Sequence, residues 1–248
     1  MDISEYYNIA RLEESHWWYV GMAGIAKDWL SHLPTVNAAK PRVILDAGCG
    51  TGGDLKFLSE FGTAIGIDLH PLALRLSAEK GYTRLARATV EQLPFPGESI
   101  AVLTSFEVLY HLQVNDDAQA LRDFARVLEP GGWLLLRLPA HDWLRGAHDR
   151  TVHTRHRYTR EEVQAKLRTA GLRPVRVTYA NTLLFFPAAL WRLIQRGTSD
   201  EAHTDVRLPS PPVNRALTAL LRAEGLWLRR FDLPIGLSVL ALAQKESA

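Results

Sequence analysis

Short apolar runs alternate with stretches of helical spacing through the middle of the chain. The runs at 42–46, 64–68, 100–106 and 133–138 predict buried strands, and further strands are predicted at 85–89, 175–179 and 236–243. Apolar positions three or four residues apart predict helices at 54–61, 72–81, 116–128 and 159–171. Strands that alternate with helices are typical of a parallel sheet covered on both faces. We therefore predict an α/β, doubly wound domain.

The same helical spacing continues on both sides of this core. Helices are predicted at 4–33, 183–196 and 213–230, and the polar, proline-rich stretch at 197–212 is predicted to be flexible. The longest apolar tract, 183–194, is shorter than the roughly 18 residues that a membrane span needs. Cys49 is the only cysteine, which excludes an internal disulfide and fits a reducing compartment. With no secretory signal visible, we predict a cytoplasmic location.

Charge is unevenly placed along the 248 residues. Residues 1–140 carry 12 basic and 17 acidic side chains, a net −5, and residues 141–248 carry 17 and 10, a net +7. A basic half indicates an anionic partner, such as a phosphate, a nucleic acid or a membrane surface. Arginine dominates this half (15 Arg, 2 Lys), which favours bidentate contacts with anions over loose binding to a polyelectrolyte, and no nucleic-acid partner is predicted.

A glycine-rich turn follows the first predicted strand. Gly48, Gly50 and Gly53 have the spacing of a dinucleotide-binding loop, and Asp68 ends the next strand 20 residues after Gly48. Glycines allow a ligand to approach the backbone, and an acid in the second position accepts hydrogen bonds from ribose hydroxyls. These residues alone allow a nicotinamide cofactor, S-adenosylmethionine, or a tight turn without a ligand.

Four longer motifs carry a resemblance to a known family. The runs VILDAGCGTGG, IGIDLHPLAL, LPFPGESI and LEPGGWLLLRLPA resemble, in order and over about residues 42–140, the class I S-adenosylmethionine-dependent methyltransferases of type 11. Segments at 16–19, 148–158, 179–184 and 233–238 also resemble a bacterial subgroup of these enzymes. The resemblance implies a seven-stranded, mostly parallel, Rossmann-like sheet whose last strand is antiparallel. It also implies one methyltransferase domain over 1–248, with an N-terminal helical cap (1–40), a core (41–182), a helical insertion (183–232) and the last strand (233–248).

The resemblance further implies a set of residues for S-adenosylmethionine. Asp68 would bind the ribose, Leu69 would pack on the adenine, and Val90 would offer its amide where Thr89 replaces the family's usual acid. The subgroup often has an arginine after the HWWY segment, whereas residues 20–23 contain none. The residues implied for the methionine part are Asp46, Gly48, Gly50, Thr51, Gly52, Ser105 and Phe106.

Histidines and arginines cluster after the fifth predicted strand, at the sheet edge where such folds place their sites. One interpretation is acid–base chemistry, with His148 or His153 as the base and Arg155 and Arg157 holding an anion. A second is a structural network in which the histidines and Asp149 order a lid. A third is a metal site of His148, Asp149 and His153, but the family does not generally require a metal, and none is predicted. The residues predicted to contact the acceptor are Trp18, Tyr19, His111, Asp149, Arg155, Arg157 and Tyr158.

Together these patterns predict an S-adenosylmethionine-dependent methyltransferase. Its acceptor is predicted to be small or lipid-linked, anionic, and methylated at oxygen. The basic helices of 183–230 are either a solvated face or an interfacial surface that makes peripheral contact with a membrane. The alternatives are an NAD(P)-dependent oxidoreductase and a non-catalytic S-adenosylmethionine-binding protein.

Overall fold

A single seven-stranded sheet forms the centre of the molecule. The computed structural model describes residues 1–34, 42–186, 189 and 207–247, with the side chains of 147 and 148 excepted. The strands lie in the order β3-β2-β1-β4-β5-β7-β6, and only β7 runs antiparallel to its neighbours. The predicted fold class is therefore confirmed. The strands are β1 (Val43–Ala47), β2 (Thr63–Asp68), β3 (Leu85–Arg87), β4 (Ile100–Phe106), β5 (Leu128–Pro139), β6 (Leu172–Ala180) and β7 (Ser238–Lys245).

Helices cover both faces of this sheet. Along a strand, neighbouring side chains point to opposite faces, so Ile44 and Leu45 enter two different hydrophobic clusters. The cluster of Leu45 is completed by α5 and α7, and that of Ile44 by α2, α3 and α8. The helices are α1 (Ile3–Leu12), α2 (Trp17–Ser31), α3 (Leu55–Leu58), α4 (Pro71–Glu79), α5 (Asp117–Val127), α6 (Ala147–Thr151), α7 (Arg160–Thr169) and α8 (Pro211–Trp227), and a 3₁₀ turn spans Asp142–Leu144.

The predicted first helix is in fact two helices. The chain leaves the helical path between Leu12 and Trp17, and the imidazole of His16 accepts a hydrogen bond from the Trp18 backbone N–H (3.3 Å), which caps α2. The break turns α1 away from α2, so that Tyr6 of α1 packs against Ala73 and Leu76 of α4. The N-terminal segment thereby contacts α4 through α1 and α8 through α2.

Other boundaries also differ from those predicted. The fifth strand begins at Leu128 rather than at 133, because the chain pairs with β4 on both sides of a register shift around Pro130 and the two following glycines. The helix after the glycine loop is only Leu55–Leu58. The predicted helix at 183–196 and the predicted flexible stretch at 197–212 fall largely outside the described residues.

Helix α8 packs on α2 and thereby fixes the N-terminal segment over the sheet. A Cβ atom at Gly21 would lie 2.5 Å from Leu221 Cδ1, so the two helices touch where α2 has no side chain. At the start of α2, the Trp17 backbone N–H donates to Asn214 Oδ1 (2.9 Å). Among the described residues, no helix combines the length and the apolar character of a membrane span.

Candidate active site

A cavity of roughly 610 Å³ opens at the carboxyl ends of β1, β2, β4 and β5. Its floor includes Asp46, Asp68, Phe106 and Arg137, which lie at or near the ends of those four strands. Its roof is formed by α1 and by the first turn of α2. The volume lies within the range of small-molecule and cofactor sites.

The glycine turn after β1 lines one end of the cavity. Gly48 and Gly50 have φ values of +89° and +55°, in the left-handed region that favours glycine. The Gly50 backbone N–H donates to Asp68 Oδ2 (3.0 Å), and the His70 backbone N–H donates to Asp68 Oδ1 (2.8 Å). These two bonds hold the carboxylate at the end of β2 against the turn.

The turn leaves room for a ligand at Gly50. A Cβ atom there would meet no atom within 4 Å, although Gly50 lines the cavity, so the missing side chain leaves open space above the backbone. At Gly48 a Cβ atom would lie 2.3 Å from Val108 Cγ2, so this glycine is required by packing. An open backbone turn beside a strand-end carboxylate fits the nucleoside half of S-adenosylmethionine.

Glu13, in the break between α1 and α2, fastens the roof to the glycine turn. Its carboxylate accepts hydrogen bonds from Thr51 Oγ1 (2.7 Å) and the Gly53 backbone N–H (3.1 Å), and it also pairs with Lys80. Three separate segments therefore meet on one nearly buried carboxylate. This contact places α1 directly over the cofactor end of the cavity.

Carboxylates outnumber cationic groups in the described lining. Burial raises the pKa of Asp46, Asp54, Asp68 and Glu107, and at Asp46 the charge of Asp54 adds to that rise. Such a site favours positively charged ligand groups, because a nearby cation lowers the cost of ionising buried carboxyls. The acidic lining residues are Glu5, Glu13, Asp46, Asp54, Asp68, Glu107 and Asp149, and the basic ones are Arg137, Arg157 and Arg207.

Glu107 and Arg137 form the centre of the other half of the cavity. Arg137 Nε donates to Glu107 Oε1 (3.2 Å), and the rings of Trp18 and Phe106 lie 5.0 and 4.7 Å from the guanidinium carbon. Glu107 has a φ of 58°, an uncommon value for a residue with a side chain, and it directly follows β4. The backbone thus turns sharply to present this carboxylate to the cavity.

Most of the predicted cofactor residues line the cavity. Gly52 and Ser105 do not: Gly52 faces Ser77 of α4, and Ser105 Oγ donates to the Ala47 backbone oxygen (2.9 Å) in the buried sheet. The contacts of both residues are therefore with the surrounding protein, and their predicted role in cofactor binding stays a prediction. The predicted cofactor residues that line it are Asp46, Gly48, Gly50, Thr51, Asp68, Leu69, Thr89, Val90 and Phe106.

The predicted acceptor residues divide in the same way. Trp18, Tyr19, His111, Asp149 and Arg157 line the cavity, whereas Arg155 and Tyr158 do not. The Tyr158 hydroxyl is buried and donates to Asp117 Oδ2 (2.7 Å). Arg155 donates to the Asn115 backbone oxygen (2.6 Å) and pairs with Asp117 (3.8 Å). These contacts join the segment before α7 to the start of α5, and a role of either residue in acceptor binding stays a prediction.

Of the two predicted catalytic histidines, only His153 has a described side chain, and it does not line the cavity. The His153 side chain is 43% exposed, with Nε2 3.3 Å from Asp2 Oδ1 and Nδ1 3.1 Å from the Met1 amine. Both ring nitrogens thus contact the N-terminus of the chain, and the role of His153 as a base stays a prediction. The side chain of His148 lies outside the described residues. Burial lowers the pKa of the cavity residue His111 to about 4, so its imidazole is neutral at pH 7.

Arg157 and Asp149 form a buried ion pair, whereas the sequence interpretation joined Asp149 to the histidines of this segment. Arg157 Nε and Nη2 donate to the two carboxylate oxygens of Asp149 at 2.8 and 3.2 Å, and Nη1 donates to the Ala140 backbone oxygen (3.2 Å). The pair is buried and orders the turn around α6. In the described part of the chain, no group of His, Cys, Asp or Glu side chains is arranged to hold a metal ion.

Sequence reasoning missed Glu13, Asp54 and Arg137 and gave Glu107 no role. The first lies in what was predicted to be continuous helix, and Arg137 lies inside an apolar strand run, LLLRLP. A charged residue within such an apolar run could have indicated a functional residue, since a buried arginine needs a partner.

The fold and the glycine turn define the class of the protein. A β3-β2-β1-β4-β5-β7-β6 sheet with an antiparallel β7, an open turn after β1 and an acid at the end of β2 is a class I S-adenosylmethionine-dependent methyltransferase domain. Residues 45–136 match the family model described as a methyltransferase domain. Residues 45–136 thus form a methyltransferase domain, and S-adenosylmethionine is the cofactor that such a domain takes.

Related proteins agree with this assignment. The ubiquinone/menaquinone biosynthesis C-methyltransferase UbiE of a Shewanella species is 32% identical over 143 residues, which cover 51% of this chain and 55% of that protein. The chain therefore spans about half the length of the curated relatives that it matches.

Solved structures share the fold over nearly the whole chain. One is a S-adenosylmethionine-dependent methyltransferase of Thermotoga maritima, described as a possible histamine N-methyltransferase (TM-score 0.63, 16% identity, 98% of this chain and 96% of that one). Another is a chain in the complex between the Haloferax volcanii Trm112 methyltransferase activator and the putative methyltransferase (TM-score 0.62, 18% identity, 98% and 95%). At these identities the likeness concerns the fold.

Proposed function

We propose that the chain transfers a methyl group from S-adenosylmethionine to a hydroxyl oxygen of a neutral small molecule. The observation that carries this proposal is one continuous cavity, which joins the glycine turn to an aromatic and ionic chamber around Glu107. Such continuity is what a direct transfer between cofactor and acceptor requires. The chemistry that S-adenosylmethionine supplies when bound is a methyl group already activated on a sulfonium.

The residues of the chain provide position, exclusion of water and a base. Asp68 and the Gly50 turn would hold the ribose end, and Trp18 and Tyr19 of α2 would close the acceptor end against solvent. Glu107 would take the proton of the attacking hydroxyl, because its carboxylate lines the cavity and burial raises its pKa above the ordinary range. Arg137 fixes the orientation of that carboxylate.

The charge of the lining supports a neutral acceptor over an anionic one. The expected anion contacts rested on Arg155, which lies outside the cavity, and on Arg157, whose donors Asp149 and Ala140 already occupy. An added anion would also face the excess of buried carboxylates. A lipid-linked acceptor and a membrane contact through 183–230 stay predictions, since much of that stretch lies outside the described residues.

The proposal is tested with the purified chain, S-adenosylmethionine and three acceptor panels: neutral alcohols and phenols, carboxylic and phosphoric acids, and amines. Formation of S-adenosylhomocysteine, followed by mass spectrometry of the product, is expected with the neutral hydroxyl compounds. Glu107→Gln is expected to lower kcat by roughly 100-fold or more while cofactor binding persists.

Each alternative has its own result in the same experiment. Binding of NAD(P)H without binding of S-adenosylhomocysteine would identify an oxidoreductase and end the proposal. Methylation confined to the acids or the amines would overturn the acceptor class. A product methylated at carbon would overturn oxygen as the acceptor atom. The chain would then resemble the Shewanella relative, which is named as a C-methyltransferase.

A further inference from the structure

Arg137 is a buried arginine with unused hydrogen-bond donors. Its side chain is 5% exposed and lines the cavity, yet only Nε makes a hydrogen bond, to Glu107. Neither Nη1 nor Nη2 donates to any described residue. A guanidinium carries five N–H groups in a planar fork, so four of them remain available, held between the Trp18 and Phe106 rings. Buried donors of this kind require an acceptor from a ligand or from water.

Asp54 faces Arg137 with an equally unused carboxylate. Asp54 Oδ2 lies 4.0 Å from Arg137 Nη2, which is too far for a hydrogen bond. Although Asp54 precedes α3, its side chain makes no capping bond with that helix. Two opposite charges thus line the same cavity, each with free hydrogen-bonding capacity directed at the space they share.

Arg157 differs from Arg137 in that all of its side-chain nitrogens already donate hydrogen bonds. Both arginines are buried and both line the cavity. All three nitrogens of Arg157 donate to Asp149 or to Ala140, whereas two of the three in Arg137 donate to nothing described. Arg157 and Asp149 therefore form an ion pair with direct hydrogen bonds, whereas Arg137 and Asp54 face each other without one.

An open pair of opposite charges is complementary to a zwitterion. The methionine end of S-adenosylmethionine carries an α-carboxylate and an α-ammonium on the same carbon, and the Gly50 turn that would hold the other end lies in the same cavity. We propose that Arg137 and Asp54 form the receptor for this amino-acid end, with the Arg137 fork binding the carboxylate and Asp54 binding the ammonium. The inference rests on the cofactor assigned above. Helix α2 supplies no basic residue at 20–23, and instead contributes Trp18, whose ring stacks on the guanidinium.

Titration calorimetry with three nucleosides, in the absence of a methyl acceptor, separates the contribution of the ligand carboxylate to binding from that of the ligand ammonium. S-adenosylhomocysteine carries both charges, its decarboxylated analogue keeps only the ammonium, and 5′-methylthioadenosine lacks both. Arg137→Met is expected to weaken S-adenosylhomocysteine by about 10- to 100-fold and to leave the decarboxylated analogue nearly unchanged. Asp54→Asn is expected to weaken both of these ligands alike. Binding of 5′-methylthioadenosine stays at the wild-type level in each variant and shows that the site is folded.

Arg157→Lys is the matched control, because the Arg157 donors already bind Asp149 and Ala140. This variant is expected to keep the wild-type preference for S-adenosylhomocysteine over the decarboxylated analogue. If Arg137→Met no longer binds 5′-methylthioadenosine, Arg137→Lys, which keeps the charge but loses the fork, decides. An arginine variant that binds 5′-methylthioadenosine and retains the full preference for the carboxylate overturns the inference. A wild-type chain that binds no S-adenosylhomocysteine overturns the proposed function instead.

Discussion

His111 illustrates how one side chain in the cavity wall sets the response of the fold to acid. Burial lowers its pKa to about 4, against an ordinary value of 6.5, so the folded chain keeps the imidazole neutral. The unfolded chain takes up the proton first as the pH falls. The contribution of His111 to the free energy of unfolding is therefore complete above pH 6.5. It is lost as the pH falls towards 4, by at most about 3 kcal/mol.

Urea unfolding at a series of pH values between these limits measures this loss directly. The His111→Gln variant has no group to protonate and is expected to lose less of its free energy of unfolding over the same range. Equal slopes for the variant and the wild type would show that His111 is not responsible.

The Arg157–Asp149 bridge allows a second prediction at the same scale. Asp149→Ala leaves a buried guanidinium that keeps only the Ala140 contact, so we expect the free energy of unfolding to fall by about 3–5 kcal/mol. Exposed Asp142, which pairs with Arg145, is the control: Asp142→Ala is expected to cost less than about 1 kcal/mol. Thermal or urea unfolding of the two variants compares them, and similar losses would contradict the structural role of the buried bridge.

Residues around the glycine turn could be predicted from sequence, and those around Glu107 and Arg137 mostly could not. Gly48, Gly50 and Asp68 lie within one strand–turn–helix–strand unit, so their spacing encodes their proximity. Glu107 and Arg137 meet because two parallel strands end side by side, and Glu13 arrives through a helix break that the apolar pattern does not reveal. Arg155 does not line the cavity because it pairs with Asp117, 38 positions earlier, a partner that the sequence pattern does not reveal.

At the scale of elements, the contact between α1–α2 and the glycine turn controls access to the cofactor end. Glu13→Ala removes the bonds to Thr51, Gly53 and Lys80, so we expect S-adenosylhomocysteine to dissociate about 10-fold faster. Stopped-flow displacement measures the rate. The neighbouring exposed Glu14→Ala is the control and is expected to behave as wild type. Unchanged dissociation from the Glu13 variant would mean that the roof does not limit release.

The packing of α8 on α2 gives a second prediction for elements. Alanine normally stabilises a helix relative to glycine by up to about 1 kcal/mol, and Gly24→Ala, with open space around it, is expected to do so. At Gly21 the new Cβ atom would meet Leu221 at 2.5 Å, so Gly21→Ala is expected to destabilise by about 1–3 kcal/mol. Unfolding curves compare the two substitutions on one helix. A stabilised Gly21 variant would show that the helices are not in close contact.

For the whole molecule, the division into an acidic and a basic half predicted an anionic acceptor, and the folded charge distribution points the other way. Many arginines of the second half pair with acids that lie far away in the sequence, as Arg229 does with Asp28 and Arg176 with Asp232. The carboxylates of the first half, which end strands, converge on the cavity instead. Net charge along a sequence cannot show this, because pairing depends on which elements the fold brings together.

That convergence predicts how the whole protein responds to pH when it binds its cofactor. Burial raises the pKa of Asp46 and Asp54 above the value of about 4 that an exposed carboxyl has. In the free protein, this pair is therefore still partly protonated at pH values at which an exposed carboxyl is already ionised. A cationic ligand favours the ionised form, so binding of S-adenosylmethionine is expected to release protons and to tighten as the pH rises, by up to about tenfold per pH unit for one proton. S-adenosylhomocysteine lacks the sulfonium charge and is expected to show a shallower dependence. Calorimetry from about pH 5 to about pH 8, in buffers of different ionisation enthalpy, measures both the affinity and the released protons. Asp46→Asn is expected to flatten the difference between the two ligands, whereas an equal pH dependence for both ligands in the wild type would show that the buried carboxylates do not respond to the sulfonium.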